Sequence, residues 1–447
     1  MVDHGEEQQD PGAQNVAWWE LGGLFDSSYA RLAPGEARMF RLLGSHPGPA
    51  IGAQAVAVLA ALEVPSARRF LDRLAEEHLL VKVAPDRFRM HPLVHDYAAH
   101  RAHGEEDPAE RLDAVTRALE WYAAMADMAD RLVLPVTARL AVDLPAVQRP
   151  ASWDREQALR WLRSERATLS AAQRMAVDEG MHTLVISFAV SSRHLGTGHR
   201  SWWPEALAAT SRGIEAATVS GDPAAEGFLR VLRGHQHQAV GDLTAAEADF
   251  REVLQRAEES RDQVLRRRAV AGLGRLREVQ RRYDEAATFY QKMLEATREE
   301  GELAAQAVAL GNLCRVHVPL GKFDRAWQYG QEALQLRSRT GDRLDVAYAN
   351  DDLAAVRQAT GDHAAAIALW EEVAQVYAQH LGTESHLATT LEAMADSLSA
   401  VGRDDEAVTA RGRAARIRKD LGDPRADEVQ GRADGPASTD AAGSGDS

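Results

Sequence analysis

The chain has 447 residues, 45% of them hydrophobic, and a formal net charge of −15. The length allows two or three domains with a sizeable core, and the negative balance sets bulk electrostatics against nucleic acid and anionic membranes. A single cysteine, Cys314, excludes an internal disulfide framework and a thiolate metal cluster.

Residues 1–20 read as a disordered tail; Met1 to Asp10 is acidic and polar, unlike a secretory signal. No run approaches the roughly 18 apolar residues that a bilayer demands, so a cytoplasmic location without membrane partners is expected. The only lysines are Lys82, Lys292, Lys322 and Lys419, and none precedes Ser or Thr. A phosphate-cradling loop needs Gly-Lys-Ser/Thr to reach the phosphates and magnesium, so no such ATP site is expected.

Residues 21–103 predict a small domain. Leu32 to Leu43 forms a short amphipathic helix stopped by Gly44 and Pro47. A second helix spans about Gly52 to Leu62, and a third starts at Pro65-Ser66 and runs to about His78. Leu79–Val83 and Arg87–Met90 flank the turn Ala84-Pro85-Asp86, giving a hairpin. Three helices and a hairpin make a winged helix. Three stretches, Phe25-Asp26-x-Ser28-Tyr29, Arg38-x-Phe40-Arg41-Leu42-Leu43-Gly44 and Arg87-Phe88-Arg89-Met90-His91-Pro92-Leu93-Val94, make the domain resemble a known segment. It is the winged helix that follows the nucleotide-binding module in actinobacterial NB-ARC/tetratricopeptide regulators, the STAND class that includes antibiotic regulatory proteins. The resemblance covers roughly residues 21 to 421 and implies a regulator or scaffold. In that family a Met-His-Asp motif contacts nucleotide. The matching positions are Met90, His91 and Pro92, so the aspartate is replaced, and no nucleotide module accompanies it here. No cofactor is expected.

Residues 104–200 read as a helical bridge. One helix covers Pro108 to Leu132, a proline-punctuated loop follows, and Ser152 would cap a helix from Trp153 to Glu179. Trp161-Leu162-x-x-Glu165-Arg166-x-x-Leu169 resembles the segment before the repeats in the same family. Met181 to Leu195 predicts an apolar helix.

From Ser201 the chain repeats itself. Turns begin at Ser201, Gly241, Arg281, Gly321, Gly361 and Gly402, at steps of 40, 40, 40, 40 and 41. A period of this size marks a solenoid of helical units. Eight positions before the turn stands Leu273, Leu313, Leu353 or Met394; the next position is small, at Gly234, Gly274, Cys314, Ala354 and Ala395. Alanine follows each turn at 246, 286, 326, 366 and 407. Small residues there let paired helices approach closely, where larger ones would overpack. The pattern resembles the tetratricopeptide repeat, with helices about a turn longer than its usual unit of about 34 residues. The Ser201 unit fits loosely and reads as a cap. Residues 201–425 form the repeats, and 426–447 a second disordered tail. The fold class is all-α, a tetratricopeptide-type helical superhelix with a small N-terminal winged-helix domain.

Candidate chemistry is sparse. His91 and His95 share metal-ligand spacing but lack the neighbouring glutamate of a metalloprotease helix, and no catalytic triad assembles, so neither a metal site nor an enzyme is expected. The local anomaly is Arg261 to Arg282, with eight arginines against Asp262 and Glu278. In tetratricopeptide folds the first helix of each pair lines the inner groove. That nominates Phe228, His235, Arg268, Arg275 and Arg315, then Tyr348, Asp351, Gln358, Glu392 and Asp396. The groove would be basic in repeats two and three and acidic in four and five. A protein or peptide with an acidic segment fits that dipole, since arginine forks bind carboxylates bidentately; ion pairing between neighbouring helices would explain the same charges. The expected function is an adaptor or regulator that binds a partner in the groove. The alternative is a DNA-binding regulator using Arg68, Arg69, Arg73 and Arg87 of the winged helix, although acidic residues balance the third helix, where a DNA reader needs a basic footprint.

Overall fold

The computed structural model describes residues 25–134, 139–147, 153–193, 195, 199–339, 341–380 and 382–434. The expected tails at 1–20 and 435–447 lie outside that set. The chain divides into two compact units, one built from residues up to Leu132 plus Ala141–Ser191, the other from Val133–Leu140 plus the chain from Ser192.

In the first unit, α1 (Pro34–Leu43) leads to β1 (Ala50–Gly52), α2 (Ala53–Leu59) and α3 (Val64–Glu76). The hairpin β2 (Val81–Ala84) and β3 (Arg87–Arg89) follows. β3 pairs antiparallel with both β1 and β2, so the sheet order is β1-β3-β2. The sequence reading missed β1; three residues are too few to show an alternation. Helices α4 (Pro92–Glu105), α5 (Pro108–Val133), α6 (Arg155–Asp178) and α7 (His182–Ser191) complete the unit. Phe40, Leu43, Ile51, Leu71, Leu74 and Phe88 form its core, and Ala114 and Ala118 of α5 pack into it. The boundary placed between 103 and 104 is therefore no break in packing. The cap of α6 is Asp154, not Ser152: its carboxylate accepts the Gln157 N–H at 2.7 Å, and the Gln157 side chain accepts the Asp154 N–H at 2.9 Å. That reciprocal box satisfies two amides that a helix start leaves open.

The second unit is a stack of antiparallel helices. After a 3₁₀ turn at Arg200–Trp202 come α8 (Trp203–Ser220), α9 (Pro223–Val240), α10 (Leu243–Ser260), α11 (Gln263–Val279) and α12 (Tyr283–Glu300). Then follow α13 (Leu303–His317), α14 (Phe323–Ser338), α15 (Arg343–Ala359), α16 (His363–Gln379), α17 (Glu384–Ala400), α18 (Asp404–Asp420) and α19 (Ala426–Asp434). The tail expected from 426 is corrected by α19: Ala426, Val429 and Ala433 are buried, so one apolar stripe orders a stretch that composition marked as disordered.

The small positions do what the repeat requires. A Cβ at Gly234 would come 2.7 Å from the Phe250 ring, and one at Gly274 would come 2.6 Å from the Tyr290 ring. In the next unit the sizes exchange, with Cys314 against Gly330. Ala246, Ala286, Ala326, Ala366 and Ala407 are all buried. Burial also pushes the Cys314 thiol well above its usual range, which disfavours the reactive thiolate.

A shorter period lies inside the repeat of forty. Residues 221, 241, 261, 281, 301, 321, 341, 361, 382, 402 and 422 all have positive φ, and all are glycine except Arg261 and Arg281. One turn per helix ends each element in a left-handed residue. Aspartate often follows and caps the next helix, as Asp222, Asp242, Asp262, Asp342 and Asp362 do.

Candidate functional site: the inner face of the repeats

The first helices of the repeats, α9, α11, α13, α15 and α17, carry the nominated side chains. Some of them converge. Arg275 on α11 lies close enough to His235 on α9, Glu278 and His386 on α17 to perturb all three. Arg315 on α13 acts on His386 as well. Residues from separate repeats thus feel one another's charge. His235 is solvent-exposed on α9. Its imidazole sits edge-on to Phe250, with centroids 5.1 Å apart, and Nδ1 lies 3.1 Å from Gln238. Partial desolvation lowers its pKa, Gln238 opposing and Arg275 reinforcing the shift. The pKa of His386, exposed on α17, is lowered in the same way, by partial desolvation and then by Arg275 and Arg315.

The expected charge dipole does not survive in this arrangement. Arg315 donates to Glu278 at 2.7 Å and to Asn312 at 2.8 Å, and lies 3.7 Å from Asp352. Burial opposes its charge, yet Asp352 and Glu278 outweigh that and raise its pKa. Asp351 accepts from Trp370 at 2.8 Å, Thr390 at 3.2 Å and Tyr377 at 3.3 Å. Glu392 pairs with the buried Arg418, and Asp396 with Arg411 at 3.1 Å. Gln358 donates to the Ala393 carbonyl at 2.9 Å and to Ser397 at 3.0 Å, holding α15 against α17. These five side chains are occupied by neighbouring helices. Sequence spacing gave their positions but not their charged partners, because Glu278, Asp352, Arg411 and Arg418 each lie on another helix.

Two nominated arginines remain available. Arg275 is exposed and has no carboxylate within 4.0 Å among the described residues. Arg268 stacks its guanidinium on Phe228, 5.1 Å from the ring centroid. Tyr348 makes ring contacts with His386 at 5.5 Å and Tyr377 at 5.6 Å. Two groups went unnominated. Asp352 directs its carboxylate at Gly311, where a Cβ would approach within 2.9 Å of Oδ2. Burial pushes its pKa up to about 7, with Arg315 opposing and Asp351 reinforcing the shift. His386 was the second; it sits near the start of α17, and only the curvature of the array brings it toward Arg275. The rest of the arginine cluster is largely paired, Arg267 to Glu300, Arg277 to Glu247 at 2.8 Å and Arg282 to Glu285 at 2.5 Å.

The arginines nominated for DNA are mostly engaged. Arg68 forms a fork with Asp86 at 2.7 and 2.8 Å, and Arg73 meets Glu77 at 2.8 Å and Glu76 at 3.0 Å. Arg87 pairs with Glu165 and donates to the Ser164 carbonyl at 3.2 Å. Arg69 reaches Ser66 at 3.0 Å. His91 caps α4 by accepting the Leu93 N–H at 3.3 Å, while the His95 Nε2 lies 3.2 Å from the His46 carbonyl, so the two point to different partners.

Models of the tetratricopeptide repeat match residues 269–304 and 345–420. The array is built of tetratricopeptide repeats. Over 439 residues the chain is 28% identical to the regulatory protein AfsR of Streptomyces griseus, covering 91% of this chain and 45% of that protein. To AfsR of Streptomyces coelicolor it is 29% identical over 331 residues, covering 72% of this chain and 33% of the relative. The chain thus spans less than half the length of these curated relatives. Among solved structures, BtubC from P. vanneervenii is 27% identical, with 48% of this chain and 91% of that chain covered and a TM-score of 0.40. No helix among the described residues is long and apolar enough to cross a membrane.

Proposed function

We propose that the chain is a regulatory interaction module that binds a polypeptide partner on the inner face of its repeats. An acidic segment of the partner would meet Arg275 and Arg268. One observation carries the reading: among the described residues the exposed Arg275 has no carboxylate within 4.0 Å, while Arg315, at the equivalent position of the next repeat, is saturated. A carboxylate is the group that completes such a guanidinium, through a charge-assisted bidentate bond. Tyr348, half-buried on α15, lies on the same set of first helices, while Phe228 is buried beneath Arg268. Similarity to AfsR, a regulatory protein by name, supports the regulatory role.

The first unit reads as a winged-helix module that packs against protein. Its order of helix, strand, two helices and a hairpin supports that reading. Its paired arginines favour it over DNA readout, which depends on cations free to neutralise phosphates.

The test is affinity purification of the chain from its native cell extract, with and without nuclease, beside an Arg268→Glu/Arg275→Glu variant. A defined protein partner should survive nuclease and leave with the variant. Co-purification of DNA that ignores the variant would make the first unit the working end and end this proposal.

A further inference from the structure

The array's two ends touch. The backbone N–H of Arg200, just ahead of α8, donates to the carbonyl of Leu421, just past α18, at 3.0 Å. The Arg200 guanidinium lies 3.4 Å from the Asp423 carboxylate. That carboxylate is fixed from behind by Arg418 and Arg425, each at 2.8 Å. The His199 ring packs on Gly422 so closely that a Cβ there would come 2.6 Å from it. Arg200 also stacks on Trp203, the first residue of α8, 4.6 Å from its ring. Between these ends every helix packs on the next, from α8 through α18. The result is an unbroken circuit of helices, across which the charges of Arg275 and Arg315 reach His386.

We infer that His199–Arg200 and Leu421–Asp423 form a clasp that shuts the repeat array into a ring, and that a folded protein reaches Arg275 only when the clasp opens. This rests on the inner face being the binding face, and it adds a requirement that the binding reading lacks. The clasp is the weak joint of the circuit for a physical reason. Each neighbouring pair of helices is held by a buried apolar seam such as Gly274 against Tyr290. Among the described residues the clasp shows one backbone hydrogen bond, one ring-on-glycine contact and one ion pair whose arginine is partly exposed, a smaller set than a continuous apolar seam. Opening it breaks no helix and exposes no repeat core. Asp423 stays ionised, because burial is outweighed by Arg425 and Arg200, so the clasp's charge persists through the neutral range.

The experiment needs no partner. In the full chain, Cys314→Ala removes the native thiol at a position where Ala354 and Ala395 already stand in other repeats. Arg275→Cys then places a thiol inside the ring, and Lys292→Cys places one at an exposed site on α12 as the reference. Each is reacted with N-ethylmaleimide and with a maleimide borne on a folded globular protein. The small reagent should label both thiols alike. The protein-borne reagent should label the inner thiol slower by about tenfold or more, since it waits for a local opening. Adding Arg200→Glu should bring that rate close to the reference. Circular dichroism checks that the helices persist, and Arg200→Gln, which removes the ion pair and the stack on Trp203 without adding a negative charge, should give an intermediate rate if Arg200→Glu does not fold. Equal labelling by the bulky reagent with the clasp intact, or no acceleration by either Arg200 variant, would overturn the proposal. Such a failure leaves the partner test with Arg268→Glu/Arg275→Glu untouched, so the two ideas fail separately.

Discussion

At the scale of single residues, the repeats are governed by volume complementarity. Gly274 has no room for a methyl group, because the Tyr290 ring occupies that space and is itself buried, with its hydroxyl 3.1 Å from Glu278. Gly274→Ala should therefore destabilise the repeat unit by roughly 1–3 kcal/mol through overpacking, although alanine is the better helix former. Urea denaturation would read this as a lower midpoint. A midpoint equal to or above the native one would show that Tyr290 can move aside. The sequence displayed the glycine and the tyrosine but not their contact. The exchange of sizes at Cys314 and Gly330 was equally invisible, since only the superposed helices reveal which pairs meet.

At the scale of elements, each helix is a module of about twenty residues ended by a left-handed turn. Nine of those turns are glycine; Arg261 and Arg281 adopt φ of 59° with a side chain present. An L-residue there crowds its Cβ against the following carbonyl. Arg281→Gly should raise stability by about 1 kcal/mol, because the relief exceeds glycine's entropic cost. Thermal unfolding monitored by circular dichroism checks it; an unchanged or lower Tm would mean that Arg281 makes compensating contacts in solution. The forty-residue period was legible because the turn and the alanine after it recur. The twenty-residue period was harder to see, since its intermediate turns share only a glycine with the main ones. The strand β1 and the helix α19 were missed for related reasons: one is too short to show a pattern, and the other draws its order from a neighbour.

At the scale of the whole molecule, two units carry separate cores and separate titrating groups. In the first, His46 is buried, with its Nε2 2.9 Å from the Tyr122 hydroxyl and its Nδ1 against Gly48. Burial lowers its pKa to about 4, the Gly48 carbonyl opposing, His95 and Arg87 adding to the drop. The unfolded chain, with an ordinary histidine near 6.5, then binds more protons than the folded one between those values. Stability from His46 is complete above about pH 6.5 and is lost as pH falls toward 4, by about 3 kcal/mol in all. Asp352 in the second unit works in the opposite sense, since its raised pKa favours the folded state as pH falls below about 7. Calorimetric scans at pH 7 and pH 5 should show the transition of the first unit moving down, and His46→Gln should abolish most of that movement. A shift that persists in the variant would place the sensitivity in another group.

The sequence by itself determined the repeat, its period, the small positions at the helix contacts and the presence of an unlike N-terminal unit. These follow from local pattern: a turn residue, an alanine or an apolar stripe repeats in the text wherever it repeats in space. Tertiary structure alone decided which charges stay free. Arg275 and Arg315 occupy equivalent positions in adjacent repeats, yet Glu278 and Asp352 surround the second and leave the first open. The joining of Arg200 to Leu421 was likewise a matter of accumulated curvature, which no single repeat encodes. Electrostatic neighbours and ring closure depend on distances between residues far apart in the chain, and those distances are set only when every helix has packed against the next.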